Sequence, residues 1–384
     1  MPRSRRLSRA SVEPAAPGPA APGPVARRLP VTAHDVARQA GVSQSAVSRS
    51  FTPGASVSEA TRAAVLAAAG ELGYQPNLLA RSLITRRSRI IGMAVGYLHN
   101  QFYPAVLEAM SERLQALGYH LLLFTAPQAE HADPLLEDIL RYQVDGLVLA
   151  STSLSSRLAA ACAARGVPVV LFNRVSEGAG SVESVTGENR AGGRAIARFL
   201  VAGGHRRFAF IAGIENSSTS RDRERGFREG LAAHGVHGYA RAVGGYDMDG
   251  AAAAADALLG APDRPDAVFC ASDHMAIAVL DRARGKHRLR VPEDVSVVGF
   301  DDAVPAAWPA YDLTTFHQPV GAMVEATVRL LVSRIEGRVG PAQRVVVPGE
   351  LLVRGSARLP AEGVVMIEGR RVWRPVAAVG GRRR

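Results

Sequence analysis

Residues 31–83 constrain this chain more than any other stretch. They read VTAHDVARQAGVSQSAVSRSFTPGASVSEATRAAVLAAAGELGYQPNLLARSL. Thr32 can cap a first helix, with Asp35 three positions on completing a box-like start. Val36, Ala37 and Ala40 recur at helical spacing toward a small core. Gly41 supplies a tight turn that needs a positive φ. Ser43 caps a second helix, Gln44 to Ser50, anchored by Val47, with Gln44, Ser45, Ser48 and Arg49 left polar. Ser58 caps a third, Glu59 to Leu72, whose Val65, Leu66, Ala69 and Leu72 are expected to close the core. Gly73 ends it and Pro76 prevents continuation. The pattern is a helix-turn-helix plus a third helix. Its polar second helix suits base recognition, because Gln and Arg make bidentate contacts to base edges while serines reach phosphates or bases. Double-stranded DNA is the partner this implies; a surface helix-turn-helix without nucleic acid is the competing reading.

Charge is distributed in the same sense. The chain of 384 residues has a formal net charge of +11. Residues 1–28 hold six Arg against one Glu, residues 29–90 seven Arg against three acids, and residues 361–384 six Arg against two Glu. Residues 91–360 are therefore slightly acidic. Basic charge gathered beside a helix-turn-helix is the footprint of phosphate binding; for the two tails, a solvated disordered run is the competing reading. Residues 11–24, SVEPAAPGPAAPGP, read as a disordered leader. No apolar h-region or membrane-length apolar run is present, and Cys162 and Cys270 lack metal-ligand spacing. The expectation is a cytoplasmic protein with buried inert thiols, no cofactor, no metal and no membrane.

From Arg89 onward, apolar runs alternate with helical patterns. The runs are IIGMAVGY, HLLLFTA, VDGLVLAS, VPVVLFN, FAFIAG, AVFCAS and VSVVGFD, with helices expected over 103–117, 154–165, 188–202 and 220–234. Continuous apolar strands between amphipathic helices indicate parallel sheets covered on both faces. The pattern occurs twice, before and after 188–202, so two doubly wound lobes with a cleft between them are expected. Ligands in such folds bind at the carboxyl ends of strands. Those ends carry Asn100, Phe102 and Tyr103; Ser151; Asn173 and Arg174; Ser220, Arg221 and Arg223; Ser272 and Asp273; and Asp301. An aromatic pair beside an amide suits a ring, and an Arg facing an Asp across a cleft suits a polyol. A loop cap or an interlobe ion pair is the competing reading for each residue alone.

The runs DVARQAGVSQSAVSR, TRAAVLAAAGELGYQPN and ARSL followed by IIG resemble the lactose-repressor (LacI/GalR) family of bacterial transcription regulators. The resemblance extends, more loosely, over 31–352. It departs at Ala46, where the family usually has Thr, so a phosphate-contacting hydroxyl is missing. The resemblance implies an α + α/β fold class: an N-terminal helix-turn-helix DNA-binding domain with a hinge helix, then a periplasmic-binding-protein-like core of two doubly wound parallel-sheet lobes. Three chain crossings are implied, with part of 318–348 returning to the first lobe. Asn77, Ala80, Arg81 and Leu83 match the hinge helix, with Leu83 the minor-groove wedge; an ordinary linker leucine is the competing reading. Arg223 matches the Arg of the family's R-x-x-G-F pattern and Asp301 the Asp of G-[YF]-D-D, both ligand contacts.

The domain boundaries expected are a leader at 1–30, a DNA-binding domain at 31–76, a hinge helix and linker at 77–88, a two-lobed effector-binding and dimerisation core at 89–360, and a basic disordered tail at 361–384. The implied DNA contacts are Thr32, Ser43, Gln44, Ser45, Ser48 and Arg49 together with the hinge residues. The implied function is operator binding at a near-palindromic site by a homodimer, switched by a sugar or related polar effector, with repression rather than activation. The alternative is a core that acts as an enzyme on a small metabolite, with DNA binding secondary. No G-x-x-x-x-G-K-[ST], H-E-x-x-H or G-x-S-x-G supports it.

Overall fold

Helix α1 (Ala33–Ala40) starts with a complete capping box between Thr32 and Asp35 and stops at Gly41, whose φ is 65°. Helix α2 (Gln44–Ser50) begins at Ser43, whose side chain accepts from the Ala46 N–H at 3.2 Å. Helix α3 (Glu59–Leu72) begins at Ser58 and ends at Gly73, also left-handed. The three pack around Val36, Ala37, Val47, Val65, Ala68 and Ala69. Leu66 departs from expectation: it is 48% exposed and Ala68 takes its place in the core. Turns of 100° per residue put 65, 68, 69 and 72 on one face and carry 66 off it. Arg62 ties α3 back to α2, donating to the Ser50 carbonyl at 2.5 Å.

This computed structural model describes residues 31–52, 54–76, 87–125, 138–150, 156–175 and 182–375. Asn77, Ala80, Arg81, Leu83 and Ser151 lie outside the described residues, as do the leader 1–30 and 376–384. The chain divides into two compact units, Met1–Arg81 and Ser82–Arg384.

The second unit contains two sheets. The first is all parallel, in the order β11-β5-β4-β3-β1-β2, with β1 Ile90–Val95, β2 His120–Thr125, β3 Gly146–Ala150, β4 Val169–Phe172, β5 Glu183–Gly187 and β11 Arg344–Val347. Both faces are covered: Ile91, Met93 and Val95 face one apolar cluster and Ala94, Leu147 and Leu149 the other. Helices α4 (Phe102–Gln115) and α5 (Ser156–Ala164) lie in this lobe.

The second sheet runs β13-β14-β12-β10-β9-β8-β6-β7, with β6 Phe208–Ala212, β7 Ala240–Val243, β8 Ala267–Cys270, β9 Ser296–Asp301, β10 Thr314–His317, β12 Glu350–Leu352, β13 Val364–Ile367 and β14 Arg370–Trp373. Its strands β7 to β10 are parallel, and β12 joins antiparallel. Helices α6 (Asn189–Ala202), α7 (Ser218–Ala232), α8 (Met248–Leu259) and α9 (Asp273–Asp281) cover it. Helix α10 (Val320–Ile335) and β11 return to the first lobe, so the chain crosses between lobes after β5, after β10 and after β11. The expected return within 318–348 is present.

The expected tail is structured over much of its length. Val364–Ile367 (β13) and Arg370–Trp373 (β14) form a hairpin that extends the second sheet through β12. Glu368 and Gly369 both take positive φ, as a two-residue primed turn requires. Trp373 packs edge-on against Phe199, with ring centroids 5.9 Å apart, while Arg374 turns outward to Glu350 at 2.5 Å. The arginine count masked two short apolar runs, VVMI and VW, of which Val372 and Trp373 are buried.

Candidate functional site

In the first unit, α2 presents Gln44, Ser45, Ser48 and Arg49 to solvent while Ala46, Val47 and Ser50 face inward. Three inward residues in one two-turn helix hold its axis firmly against α1 and α3. Ser43 is partly used by the cap and lies 3.1 Å from the Ser45 hydroxyl. Thr32 donates its hydroxyl to Asp35 at 2.8 Å, and this carboxyl is held below its usual range first by the Thr32 hydrogen bonds. The outward side chains form a short polar row on a rigid three-helix body, a geometry able to meet base edges and phosphates.

In the second unit, ten residues enclose a small cavity between the lobes: Tyr97, Asn100, Phe102, Tyr103, Asn173 and Arg174 from the first, and Thr219, Arg223, Tyr246 and Asp301 from the second. Its volume of about 10 Å³ is room for about one water centre, so the lobes lie close along it. Arg223 is 2% exposed; its Nε donates to Asn189 Oδ1 at 2.8 Å, its Nη1 to the Ala271 carbonyl, and its guanidinium lies 3.7 Å from the Phe300 ring centroid. Asp301 Oδ1 lies 3.2 Å from Arg223 Nη1 and accepts from Gln318 Nε2 at 2.7 Å. Both residues belong to the second lobe, so this Arg and Asp pair directly and do not face each other across the cleft.

Asp301 and Asp302 take φ of 128° and 58°. Such conformations cost about 1–3 kcal/mol each and persist where surroundings hold them. Here Asp302 is gripped by Arg354 at 2.7 Å and His317 at 3.0 Å. Burial raises the Asp302 carboxyl, but His317 and Arg354 outweigh it and leave it below the usual range. Burial pushes Asp301 up, against the pull of Arg223. Asp273 is pushed up by burial first and by the charge of Asp301 second.

The first lobe supplies aromatic and amide groups. Asn100 Oδ1 accepts from the Phe102 N–H at 3.1 Å and sets the start of α4. Phe102 stacks on Phe172 with centroids 6.4 Å apart. Asn173 takes φ 55°, and its buried Oδ1 has no partner among the described residues. Arg174 reaches the second lobe, donating to Thr219 Oγ1 at 2.8 Å, and the Val175 N–H donates to Ser218 Oγ at 3.1 Å.

Four expected residues do not line this cavity. Ser220 Oγ accepts from the Gly213 N–H at 3.0 Å, and Ser272 caps α9. Asp273 is fully buried, accepting from Thr315 Oγ1 at 2.5 Å and the Ala303 N–H at 2.8 Å. Arg221 is exposed and donates to the Asn216 carbonyl at 2.8 Å. Side chains of adjacent helical residues diverge by 100°, so Arg221 turns outward while Ser220 and Arg223 are both buried, and of these only Arg223 lines the cavity. Sequence reasoning missed Tyr97, Thr219, Tyr246, Asn189 and Gln318. Tyr97 follows β1 and was legible by the strand-end rule. Tyr246 was not: its ring lies over Gly213, where a Cβ would stand 2.2 Å from it.

A family model for bacterial regulatory proteins of the lacI family matches residues 32–77, and one for a periplasmic binding protein-like domain matches 197–357. The chain is 36% identical over 338 residues to the HTH-type transcriptional regulator CelR of Thermobifida fusca, covering 86% of this chain and 99% of that protein. It is 33% identical to the ribose operon repressor of Escherichia coli, covering 85% and 99%. Among solved structures, the lac repressor dimer bound to operator and the anti-inducer ONPF matches at TM-score 0.77 and 29% identity, covering 85% and 99%. A CelR–cellobiose complex matches at TM-score 0.64 and 34% identity, covering 85% and 100%.

Proposed function

This chain belongs to the lacI family of bacterial regulatory proteins, and on that premise we propose that it is a cytoplasmic, homodimeric repressor released from or recruited to its operator by a polar metabolite. The observation that carries the reading is the coexistence in one chain of a polar recognition helix and a two-lobed core whose lobes enclose a cavity lined by the second lobe's buried Arg223–Asp301 pair. Gln44, Ser45, Ser48 and Arg49 read base edges, with Thr32 and Ser43 toward phosphates. A dimer sets two such helices into successive major grooves of a near-palindromic operator.

The effector binds at the interlobe cavity against Asn100, Phe102, Tyr103, Asn173, Arg174, Arg223 and Asp301. The relatives named above include a cellobiose complex and a ribose operon repressor, which supports a sugar or a related polyhydroxylated molecule here. A cavity of about 10 Å³ holds no sugar, so binding requires the lobes to part, and their angle is the switch. A coupling of about 1–3 kcal/mol suffices to change operator occupancy. The core carries out no turnover in this reading.

The test is selection and sequencing of genomic fragments bound by the purified protein near physiological salt, repeated with a metabolite panel. A short palindrome whose recovery changes with one metabolite is the expected result; no enrichment under any condition sinks the reading. Leu83→Ala should weaken operator binding while leaving effector binding intact, since the family resemblance makes Leu83 the minor-groove wedge.

A further inference from the structure

We propose that the effector is a polyhydroxylated acid whose carboxylate is received by Arg174, not a neutral sugar. This deepens the effector-binding reading and rests on it. Two guanidinium groups line the cavity, Arg174 and Arg223, against a single carboxylate, Asp301. Asp301 is already engaged by Arg223 at 3.2 Å and Gln318 at 2.7 Å. Arg174 is 8% exposed, and among the described residues it donates only to neutral oxygens, its own chain's Asn173 carbonyl and Thr219 Oγ1, each at 2.8 Å from Nη1. Arg174 and Arg223 both act on the one Asp301 carboxylate, so two buried guanidinium groups share a single counter-charge, and an anion supplied by a ligand relieves that imbalance. A planar fork matched to a carboxylate is what guanidinium offers.

Helix ends add a second, independent bias. Phe102 and Tyr103 open α4, and Thr219 lies in the first turn of α7, so both helix N-termini abut the cavity. Neither first turn contains an acidic residue. Among the described core helices α8 and α9 carry an acid in the first turn, Asp249 and Asp273, whereas α4, α5, α6, α7 and α10 do not. The two helices that touch the ligand space thus keep their positive ends uncompensated. The unpartnered Asn173 Oδ1 beside Arg174 accepts from a hydroxyl, which places hydroxyl and carboxylate on adjacent parts of one small molecule.

Isothermal titration of the full chain tests this with D-glucuronate, D-galacturonate and D-gluconate against D-glucose, D-galactose and D-glucose 6-phosphate. At least one acid should bind tenfold or more tightly than its neutral parent, and Arg174→Gln should erase that preference while Arg174→Lys retains part of it. Equal or tighter binding of a neutral sugar overturns the carboxylate inference and leaves the effector reading standing. Preference for the phosphate alone, persistence of acid preference in Arg174→Gln, or no binding of any acid overturns it as well. Operator binding measured with the same compounds, in a separate titration, shows whether the regulator reading survives on its own.

Discussion

Gly193 lies so close to Arg223 that a Cβ on it would stand 2.2 Å from the Arg223 carbonyl oxygen. On the facing helix, a Cβ at Gly226 would stand 2.0 Å from the Arg190 carbonyl oxygen. Helices α6 and α7 therefore approach backbone to backbone, and this contact sets the depth at which Arg223 enters the cavity. Gly193→Ala should destabilise the core by about 1–3 kcal/mol through overpacking. Gly238, with nothing within 4 Å of its Cβ position, is the control and should tolerate Ala with little change. Urea unfolding of both variants decides it; equal midpoints would remove the close contact as a determinant.

The Arg223–Asp301 pair is buried on both sides. Asp301→Ala leaves a guanidinium without its carboxylate and should cost about 3–5 kcal/mol in core stability. It should also abolish the response of operator binding to effector. A variant that unfolds like wild type and still responds would remove Asp301 from the site.

Arg49 is exposed on α2 and makes no contribution to the core of the first unit. Arg49→Ala should weaken specific operator binding by about 1–3 kcal/mol without altering thermal unfolding. Fluorescence anisotropy with specific and scrambled duplexes separates the two contributions: equal loss on both would make Arg49 a phosphate contact.

His205 is buried; desolvation first, and the charge of Arg358 second, hold its imidazole at about 4 despite Asp266 3.5 Å away. A folded-state value below the unfolded one of about 6.5 means the unfolded chain takes up the proton first. Its stabilisation is present above pH 6.5 and is lost as pH falls toward 4, by about 3 kcal/mol in full. Asp273 and Asp301, raised by burial, act with the opposite sign: their contribution is present at low pH and lost as pH rises through their folded values. The difference between wild type and His205→Gln isolates the histidine. It should shrink as pH falls from 6.5 to 4; a constant difference would contradict the burial argument.

Helix limits in the first unit were legible because local chemistry decides them: Ser43, Ser58 and Thr32 cap, and Gly41 and Gly73 terminate. The apolar runs were legible as parallel strands because burial on both faces demands them. Arg223, Asp301, Asn173 and Arg174 could be nominated because doubly wound folds bring strand ends together. Which of the nominees meet depends on helix phase and on the α6–α7 contact, as Ser220, Arg221, Ser272 and Asp273 illustrate.

By itself, then, the sequence determined the caps, the strands, the lobes and the family, since each follows from short-range propensity or repeated apolar pattern. Only the tertiary structure decided that Arg223 and Asp301 share one lobe, that Asp273 is consumed by Thr315 and Ala303, and that residues 364–373 form a hairpin on the second sheet. Those outcomes depend on contacts between residues tens of positions apart, where the winning partner is chosen by available space and by the cost of leaving a buried polar group unpaired.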